Sequence, residues 1–142
     1  MKISTKGRYA LRLMLDLALH DTGEPVSLKD IARRQDLSEK YLEQIMVTLH
    51  KAGLVSSVRG AGGGYLLRKP ADECTVGDIL RTTEGSLMPV SCVENAQCER
   101  INGCVTNRVW RKLGEAISSV VDQITLSDMV EWERERIEDY VI

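Results

Sequence analysis

Three cysteines with equal spacing mark the second half of this 142-residue chain. Cys92, Cys98 and Cys104 are each separated from the next by five residues, in a segment without apolar periodicity. Three thiols on one short loop can converge on a point, and thiolates bind iron–sulfur clusters, Cu(I) and zinc. Zinc sites usually space paired cysteines by about two to four residues, so this spacing favours an iron–sulfur cluster. A fourth cysteine, Cys74, is expected to be buried.

The composition is that of a globular protein, with 43% hydrophobic and 28% charged residues. We expect no signal peptide. Its most apolar early stretch, residues 10–19, contains Arg12 and Asp16 and is too short to span a bilayer. We therefore expect a cytoplasmic protein, in which structural disulfides are unusual and cysteines more often serve metal or redox chemistry.

Charge is distributed unevenly along the chain. Residues 1–70 contain 12 Lys+Arg and 7 Asp+Glu, a net charge of +5, whereas residues 71–142 contain 7 and 14, a net charge of −7. The basic N-terminal half of a chain whose net charge is −2 predicts a localised surface that binds a polyanion.

Apolar residues recur at helical spacing in three N-terminal segments. The first helix is predicted at Ser4–His20, the second after Ser27 and ending near Gln35, and the third after Ser38 and ending at His50. In the third helix one face is apolar and the opposite face is polar. Two helices joined by a short turn, the second with a polar outer face, are typical of a helix-turn-helix.

A predicted β-hairpin follows these helices. Leu54–Val58 and Tyr65–Leu67 are strand-like, and a glycine-rich segment between them begins next to Arg59. A nucleotide-binding loop is excluded, because that motif opens a helix and a strand follows here. A hairpin directly after a helix-turn-helix is a wing, and an arginine at its tip suits insertion into the DNA minor groove.

The second half predicts a short helix from Thr75 to about Thr82, a long helix from Val105 and a final helix after Thr125. The long helix carries one apolar seam: Trp110, Leu113, Ile117, Val120 and Ile124. Such a seam needs a partner, most simply a second copy in a two-fold dimer, the alternative being the chain's own winged domain.

The predicted fold class is mainly α with a small β-hairpin wing. It consists of a winged helix-turn-helix domain (residues 1–70), a connecting helix with the cysteine loop (71–104), and a dimerisation helix with a C-terminal helix (105–142).

Four motifs resemble those of a known family. They are STKGRYA at 4–10, SEKYLEQ at 38–44, GLVSSVRG at 53–60 and GGGYL at 62–66. With the cysteine triad, they closely resemble the iron–sulfur cluster regulator (IscR) family, whose relatives include the nitric-oxide sensor NsrR and the cysteine-metabolism repressor CymR. The cysteine-metabolism branch lacks the triad.

The resemblance implies a non-enzymatic transcription regulator, mainly a repressor of iron–sulfur cluster assembly genes. It implies a homodimer, formed through the long helix, that binds palindromic double-stranded promoter DNA and holds a [2Fe-2S] cluster on Cys92, Cys98 and Cys104. Arg59 would enter the minor groove. The residues implied at the major groove are Ser38, Lys40, Tyr41, Glu43 and Gln44. The side-chain chemistry agrees, since Gln can pair with adenine and Glu can accept from the cytosine amino group.

The fourth cluster ligand departs from the family pattern. Asn107 stands where the cluster regulators carry a His, and Arg8 stands where the nitric-oxide sensors carry an Asp. Candidates are therefore Asn107 itself, Glu94, Glu99, a group from the partner subunit or an exogenous ligand. Two alternatives stay open: a nitric-oxide-sensing regulator with a four-iron cluster, and a thiol- or zinc-dependent regulator.

Overall fold

The computed structural model describes residues 2–94 and 100–140. The elements within these ranges are α1 (Thr5–Leu19), α2 (Leu28–Gln35), α3 (Glu39–Lys51), β1 (Val55–Val58), β2 (Gly64–Leu67), α4 (Val76–Glu84), α5 (Ser91–Glu94), α6 (Val105–Gln123) and α7 (Leu126–Tyr140). The predicted class, mainly α with a β-hairpin wing, is confirmed. In the described part of the chain, no helix combines the length and hydropathy needed to cross a membrane.

The first three helices begin where the sequence predicts. Each follows a serine whose hydroxyl accepts a hydrogen bond from the backbone N–H three residues later: Ser4, Ser27 and Ser38. Between α2 and α3 the chain turns at Asp36, whose φ of 54° lies in the left-handed region. This conformation ends α2 sharply and lets α3 start only three residues later.

One hydrophobic core joins the N-terminal helices to the later ones. Leu13 of α1 and Leu42 of α3 are fully buried in it, together with Ile79 of α4 and Leu126 of α7. The core therefore crosses the predicted domain boundary at residue 70. The division into three parts remains a prediction from sequence.

The wing is tied to Val26, which lies two residues before α2. β1 and β2 pair antiparallel, and Val26 adds two backbone hydrogen bonds with Tyr65, at 2.9 and 2.8 Å. Glycine is needed at the end of the turn, because a Cβ at Gly64 would collide with the Val26 carbonyl and one at Gly63 with the Val58 carbonyl. The hairpin is thus held close to the helices.

Helices α4, α6 and α7 are joined by a short antiparallel bridge between Thr75 and Thr125. The Val76 N–H donates to the Ile124 carbonyl and the Leu126 N–H donates to the Cys74 carbonyl, both at 2.9 Å. This bridge fixes the beginning of α4 against the junction of α6 and α7.

Both threonines of the bridge also cap a helix. Thr75 and Asp78 exchange hydrogen bonds of 3.0 Å in each direction, and Thr125 and Asp128 do the same at 2.9 and 3.1 Å. These are capping boxes, which satisfy the free N–H groups at a helix start. The same two residues thus begin α4 and α7 and hold them together.

The structure divides the predicted seam of α6 between two faces. Ile117 and Ile124 pack against a cluster of Val76, Leu80 and Leu87 in the chain's own α4 region. The exposed large apolar residues of α6 are Val105, Val109, Leu113 and Val120. The predicted seam lies at the edge of the contact with α4. Some of its residues are therefore covered by α4 and others are exposed.

An ion pair with one buried carboxylate connects α1 to α2. Asp16, only 2% exposed, accepts hydrogen bonds from Arg34 Nε at 3.0 Å and Arg34 Nη2 at 2.7 Å. Gln35 Nε2 adds a third at 3.0 Å. The carboxylate is therefore fully paired, as a buried charge must be.

Replacing Asp16 by Asn should lower the free energy of unfolding by about 1–3 kcal/mol, because charge-assisted hydrogen bonds are lost and Arg34 is left without its counter-ion. Asp21→Asn removes an exposed carboxylate nearby and should change stability by less than about 0.5 kcal/mol. Urea denaturation of both variants measures the difference. Equal stability of the two would contradict the structural role of Asp16.

Candidate nucleic-acid interface and cysteine site

The outer face of α3 presents polar side chains to solvent. Lys40, Glu43 and Gln44 are exposed, whereas Leu42 and Ile45 of the same helix are fully buried. Ser38 is exposed at the start of the helix, where its hydroxyl accepts from the Tyr41 N–H at 3.2 Å. Four of the five predicted major-groove residues therefore share one exposed surface, which has the hydrogen-bonding groups that read base edges.

Tyr41 differs from these four because it is half-buried against α1. Its ring meets Tyr9 edge-on, with the ring centroids 5.8 Å apart. The Arg12 guanidinium lies 5.3 Å from the centroid of Tyr9 and donates to the side chain and carbonyl of Gln35 at 3.0 Å each. This group fixes the start of α3, and the sequence prediction missed Tyr9 and Arg12 because they lie off the apolar face of the first helix.

A second contact between α1 and α3 lies further along α3. Lys6 Nζ donates to Thr48 Oγ1 at 3.0 Å. Together with the tyrosine pair, it holds α3 at two points against the first helix. The orientation of the exposed face of α3 is therefore set by α1.

The wing places Arg59 where the sequence predicts. Arg59 is exposed directly after β1, and the turn that follows contains Gly60 and Gly62 with φ values of 98° and 80°. These left-handed conformations favour glycine. An exposed cation at the end of a tight hairpin can enter a narrow minor groove.

Two cysteines of the triad lie in the described residues. Cys92 is on the short helix α5, Cys104 is the residue before α6, and both are partly exposed free thiols. Cys98 lies outside the described residues, as does the candidate ligand Glu99. Within residues 2–94 and 100–140, no three His, Cys, Asp or Glu side chains are grouped as metal ligands. The triad thus remains a prediction from sequence.

Asn107 connects the two described cysteines. Its side chain is buried, and Nδ2 donates to Cys92 Sγ at 3.9 Å. Its backbone N–H donates to the Cys104 carbonyl at 3.2 Å. Residues 15 positions apart in sequence are therefore brought together at the start of α6.

The Cys104 thiol lies in an environment that favours its ionised form. A hydrogen bond with the Thr106 hydroxyl (3.1 Å) lowers the pKa of Cys104, and the backbone N–H of Asn107 and the charge of Arg100 lower it further. A cleft of about 420 Å³ opens beside it and is lined by Arg108 and Arg111 among others. This side of the site is positively charged and suited to an anionic group.

The other predicted residues lie apart from this pair. Cys74 is buried, as expected, and burial raises its pKa to about 11, so its thiol is protonated at neutral pH. Arg8 is exposed on α1 and donates to Thr5 Oγ1 at 3.1 Å. Glu94 is exposed at the end of α5. None of these three has a described contact with Cys92 or Cys104.

Known proteins match this chain over nearly its full length. The model of the Rrf2 family, described as an iron-dependent transcriptional regulator, matches residues 3–132. The HTH-type transcriptional regulator IscR of Yersinia pseudotuberculosis is 46% identical over 130 residues, which are 92% of this chain and 79% of the relative. The regulator of the same name from Serratia proteamaculans is 45% identical over 130 residues, again 92% of this chain and 79% of the relative.

Solved structures agree with these matches. The T. potens IscR structure is 48% identical, with a TM-score of 0.78 over 96% of this chain and 90% of that one. The structure of CymR (YrzC), the global cysteine regulator of B. subtilis, is 43% identical, with a TM-score of 0.78 over 93% and 98%. Since the relatives are transcriptional regulators, the prediction of a non-enzymatic DNA-binding protein is confirmed. The chain belongs to the Rrf2 family of transcriptional regulators.

Proposed function

We propose that this chain senses iron–sulfur cluster status and regulates, mainly by repression, the genes of iron–sulfur cluster assembly. It binds palindromic promoter DNA as a homodimer, and cluster occupancy alters which sites it selects. The observation that carries this proposal is the contact of Asn107, in the first turn of α6, with Cys92. In the same chain, α3 exposes polar side chains that suit contacts with base edges.

DNA recognition would use α3 in the major groove and the wing in the minor groove. Lys40 suits phosphate or guanine, Gln44 suits adenine, and Glu43 suits the cytosine amino group. An acidic side chain on this surface repels phosphate, so Glu43 penalises sites that lack a partner for it. Such a penalty gives selectivity between sites rather than general affinity.

Homodimerisation would use the exposed apolar face of α6. Leu113 is 45% exposed and Val120 is 58% exposed, on a helix whose other face is already covered by α4. A second copy related by a two-fold axis would bury this face and place two α3 helices on the two halves of a palindrome.

The residues present fit an iron–sulfur cluster. Cys92 and Cys104 are partly exposed thiols, each with a hydrogen-bonding group beside its sulfur. Cys104 directly precedes α6, whose dipole favours negative charge at this position. A bound cluster supplies iron–thiolate bonds that hold this segment together and are lost on oxidation or iron depletion. The chain's own part is to position the thiols at the start of α6.

A route from this site to the DNA-binding surface runs through α4. Arg81 of α4 donates from both terminal nitrogens to Asp122 of α6, at 2.5 and 3.0 Å. Less than one turn further along, at the last residue of α4, Glu84 Oε1 accepts from the Ser4 N–H at 2.6 Å and from its hydroxyl at 2.7 Å. A change in the position of α6 is thereby passed to the start of α1, which holds α3.

A thiol-dependent regulator is the second candidate. It is favoured by the environment of Cys104, where the Thr106 contact lowers the thiol pKa and makes this partly exposed sulfur reactive. The B. subtilis relative is described as a global cysteine regulator. The metal content of the protein separates the two candidates.

Replacing Arg59 by Ala should weaken binding to promoter DNA by about 1–3 kcal/mol, because a groove contact is lost in addition to one charge. Arg68→Ala removes an equal charge from an exposed residue just after β2, away from the turn, and is the matched control. Fluorescence anisotropy at one fixed salt concentration measures both. Equal losses of DNA affinity in the two variants would mean that Arg59 contributes only its charge and makes no groove contact.

Anaerobic reconstitution should load the wild-type chain with iron and sulfide at the stoichiometry of a [2Fe-2S] cluster. Cys92→Ala and Cys104→Ala should lose this cluster because each removes a thiolate ligand, whereas Cys74→Ala should retain it. Iron and sulfide analysis with Mössbauer spectra provides the measurement. A [4Fe-4S] stoichiometry would favour the nitric-oxide sensor, and zinc or no metal would favour the thiol-dependent regulator.

Arg81→Ala should reduce the effect of the cluster on DNA affinity, because α6 is no longer attached to α4 by this ion pair. Allosteric coupling is typically about 1–3 kcal/mol, and we expect most of it to disappear. The charge-swapped pair Arg81→Asp with Asp122→Arg should restore part of the coupling. Anisotropy titrations with loaded and cluster-free protein measure it.

The control for this coupling is Arg136→Ala, which breaks a comparable ion pair with Glu133 inside α7. Both ion pairs lie at the protein surface, so breaking either one should change stability very little. Coupling that survives in Arg81→Ala as fully as in Arg136→Ala would exclude the route through α4.

A further inference from the structure

Asn107 is an unusual residue for its position. Among the described residues the buried polar or charged side chains are Asp16 and Asn107, at 2% and 3% exposure. Burying a polar amide costs free energy unless its hydrogen-bonding groups find partners. Asp16 finds them in Arg34 and Gln35. The corresponding partner of Asn107 is therefore informative about the site.

The partner of the Asn107 amide nitrogen is the Cys92 sulfur. The Nδ2···Sγ distance of 3.9 Å is within the range for a hydrogen bond to sulfur. The sulfur of a ligating cysteine carries no proton and can only accept, so the N–H group, rather than the amide oxygen, is the group that can face it favourably. The first turn of α6 holds the donor in place, because the Asn107 backbone is itself bonded to the Cys104 carbonyl.

We infer that Asn107 is a positioning residue that donates a hydrogen bond to the Cys92 thiolate, and that it is not the fourth cluster ligand. This inference rests on the proposed function and deepens it. An amide ligates metal through its oxygen, whereas the observed contact presents its nitrogen. The fourth ligand then comes from a group other than Asn107.

A hydrogen bond to a ligating sulfur has a defined consequence. It withdraws negative charge from the thiolate and so stabilises the reduced, more negative state of an iron–sulfur centre. Asn107 should therefore raise the reduction potential of the cluster. Removing the amide should lower that potential without removing iron.

The test compares four full-length proteins reconstituted anaerobically with iron and sulfide: wild type, Asn107→Ala, Asn107→His and Asn102→Ala. Asn107→His is the reference for ligation, because an imidazole at this position can bind iron directly. Asn102→Ala is the matched control, since Asn102 is an exposed asparagine in the neighbouring cleft. Iron content, Mössbauer spectra and the reduction potential are measured for each.

We expect Asn107→Ala to keep its iron and the wild-type Mössbauer spectrum while its reduction potential falls, and Asn102→Ala to match wild type in all three. Asn107→His should change the spectrum of one iron. Loss of iron or an altered spectrum in Asn107→Ala would identify Asn107 as a ligand. An unchanged reduction potential in Asn107→Ala would contradict the proposed hydrogen bond to the Cys92 sulfur. Both results leave the proposed function intact.

A second measurement does not require iron. In the cluster-free protein, the side-chain amide resonances of ¹⁵N-labelled Asn107 should shift in Cys92→Ala and remain unchanged in Cys74→Ala. Equal spectra in the two variants would overturn the contact. If wild type takes up no iron, the proposed function fails, and these resonances still decide whether Asn107 donates to Cys92.

Discussion

The backbone bridge between Thr75 and Thr125 is the contact on which the arrangement of the second half depends. It joins the start of α4 to the junction of α6 and α7, and each threonine also caps the helix that follows it. The same two threonines form the bridge and cap α4 and α7. A shift of α4 or of α7 alone would therefore break the backbone hydrogen bonds between them. The two side-chain contacts of α4, with Asp122 on one side and Ser4 on the other, become a connection only because this bridge fixes the helix between them.

The exposed surface of α3 and the cysteine site differ in how they are held in place. The proposed DNA-binding surface is firmly supported: α3 is packed on one face and is held to α1 through Tyr9 and Lys6, so its position relative to α1 is fixed. The cysteine site is assembled from a very short helix and the residue that precedes α6. The proposed sensing function requires two states of this segment that differ little in free energy.

Sequence periodicity was sufficient for the wing and for every described α-helix except α5, because serine caps and apolar spacing act locally. Sequence reasoning missed α5, whose four residues are too few to show a period. Ser4, Ser27 and Ser38 each begin a helix where expected. The α6 seam was not resolved by the same reasoning, since spacing identifies an apolar stripe but not its neighbour. The Tyr9–Tyr41 contact and the Asn107–Cys92 contact were also missed, because both join residues far apart in sequence. Pairing of this kind depends on how helices cross, which no local pattern encodes.

The pairing of the wing with Val26, close to the start of α2, has a consequence for the proposed binding of promoter DNA. With glycine at 63 and 64 and backbone bonds between Val26 and Tyr65, the hairpin moves with the helices as one unit. The spacing between the α3 surface and Arg59 is then set by the protein, and the duplex must match it. In the proposed complex, promoters whose minor groove is narrow at the required position would bind without deformation, whereas promoters with a wider groove there would have to be deformed to fit. Operator strength would thus depend on base pairs that no side chain contacts.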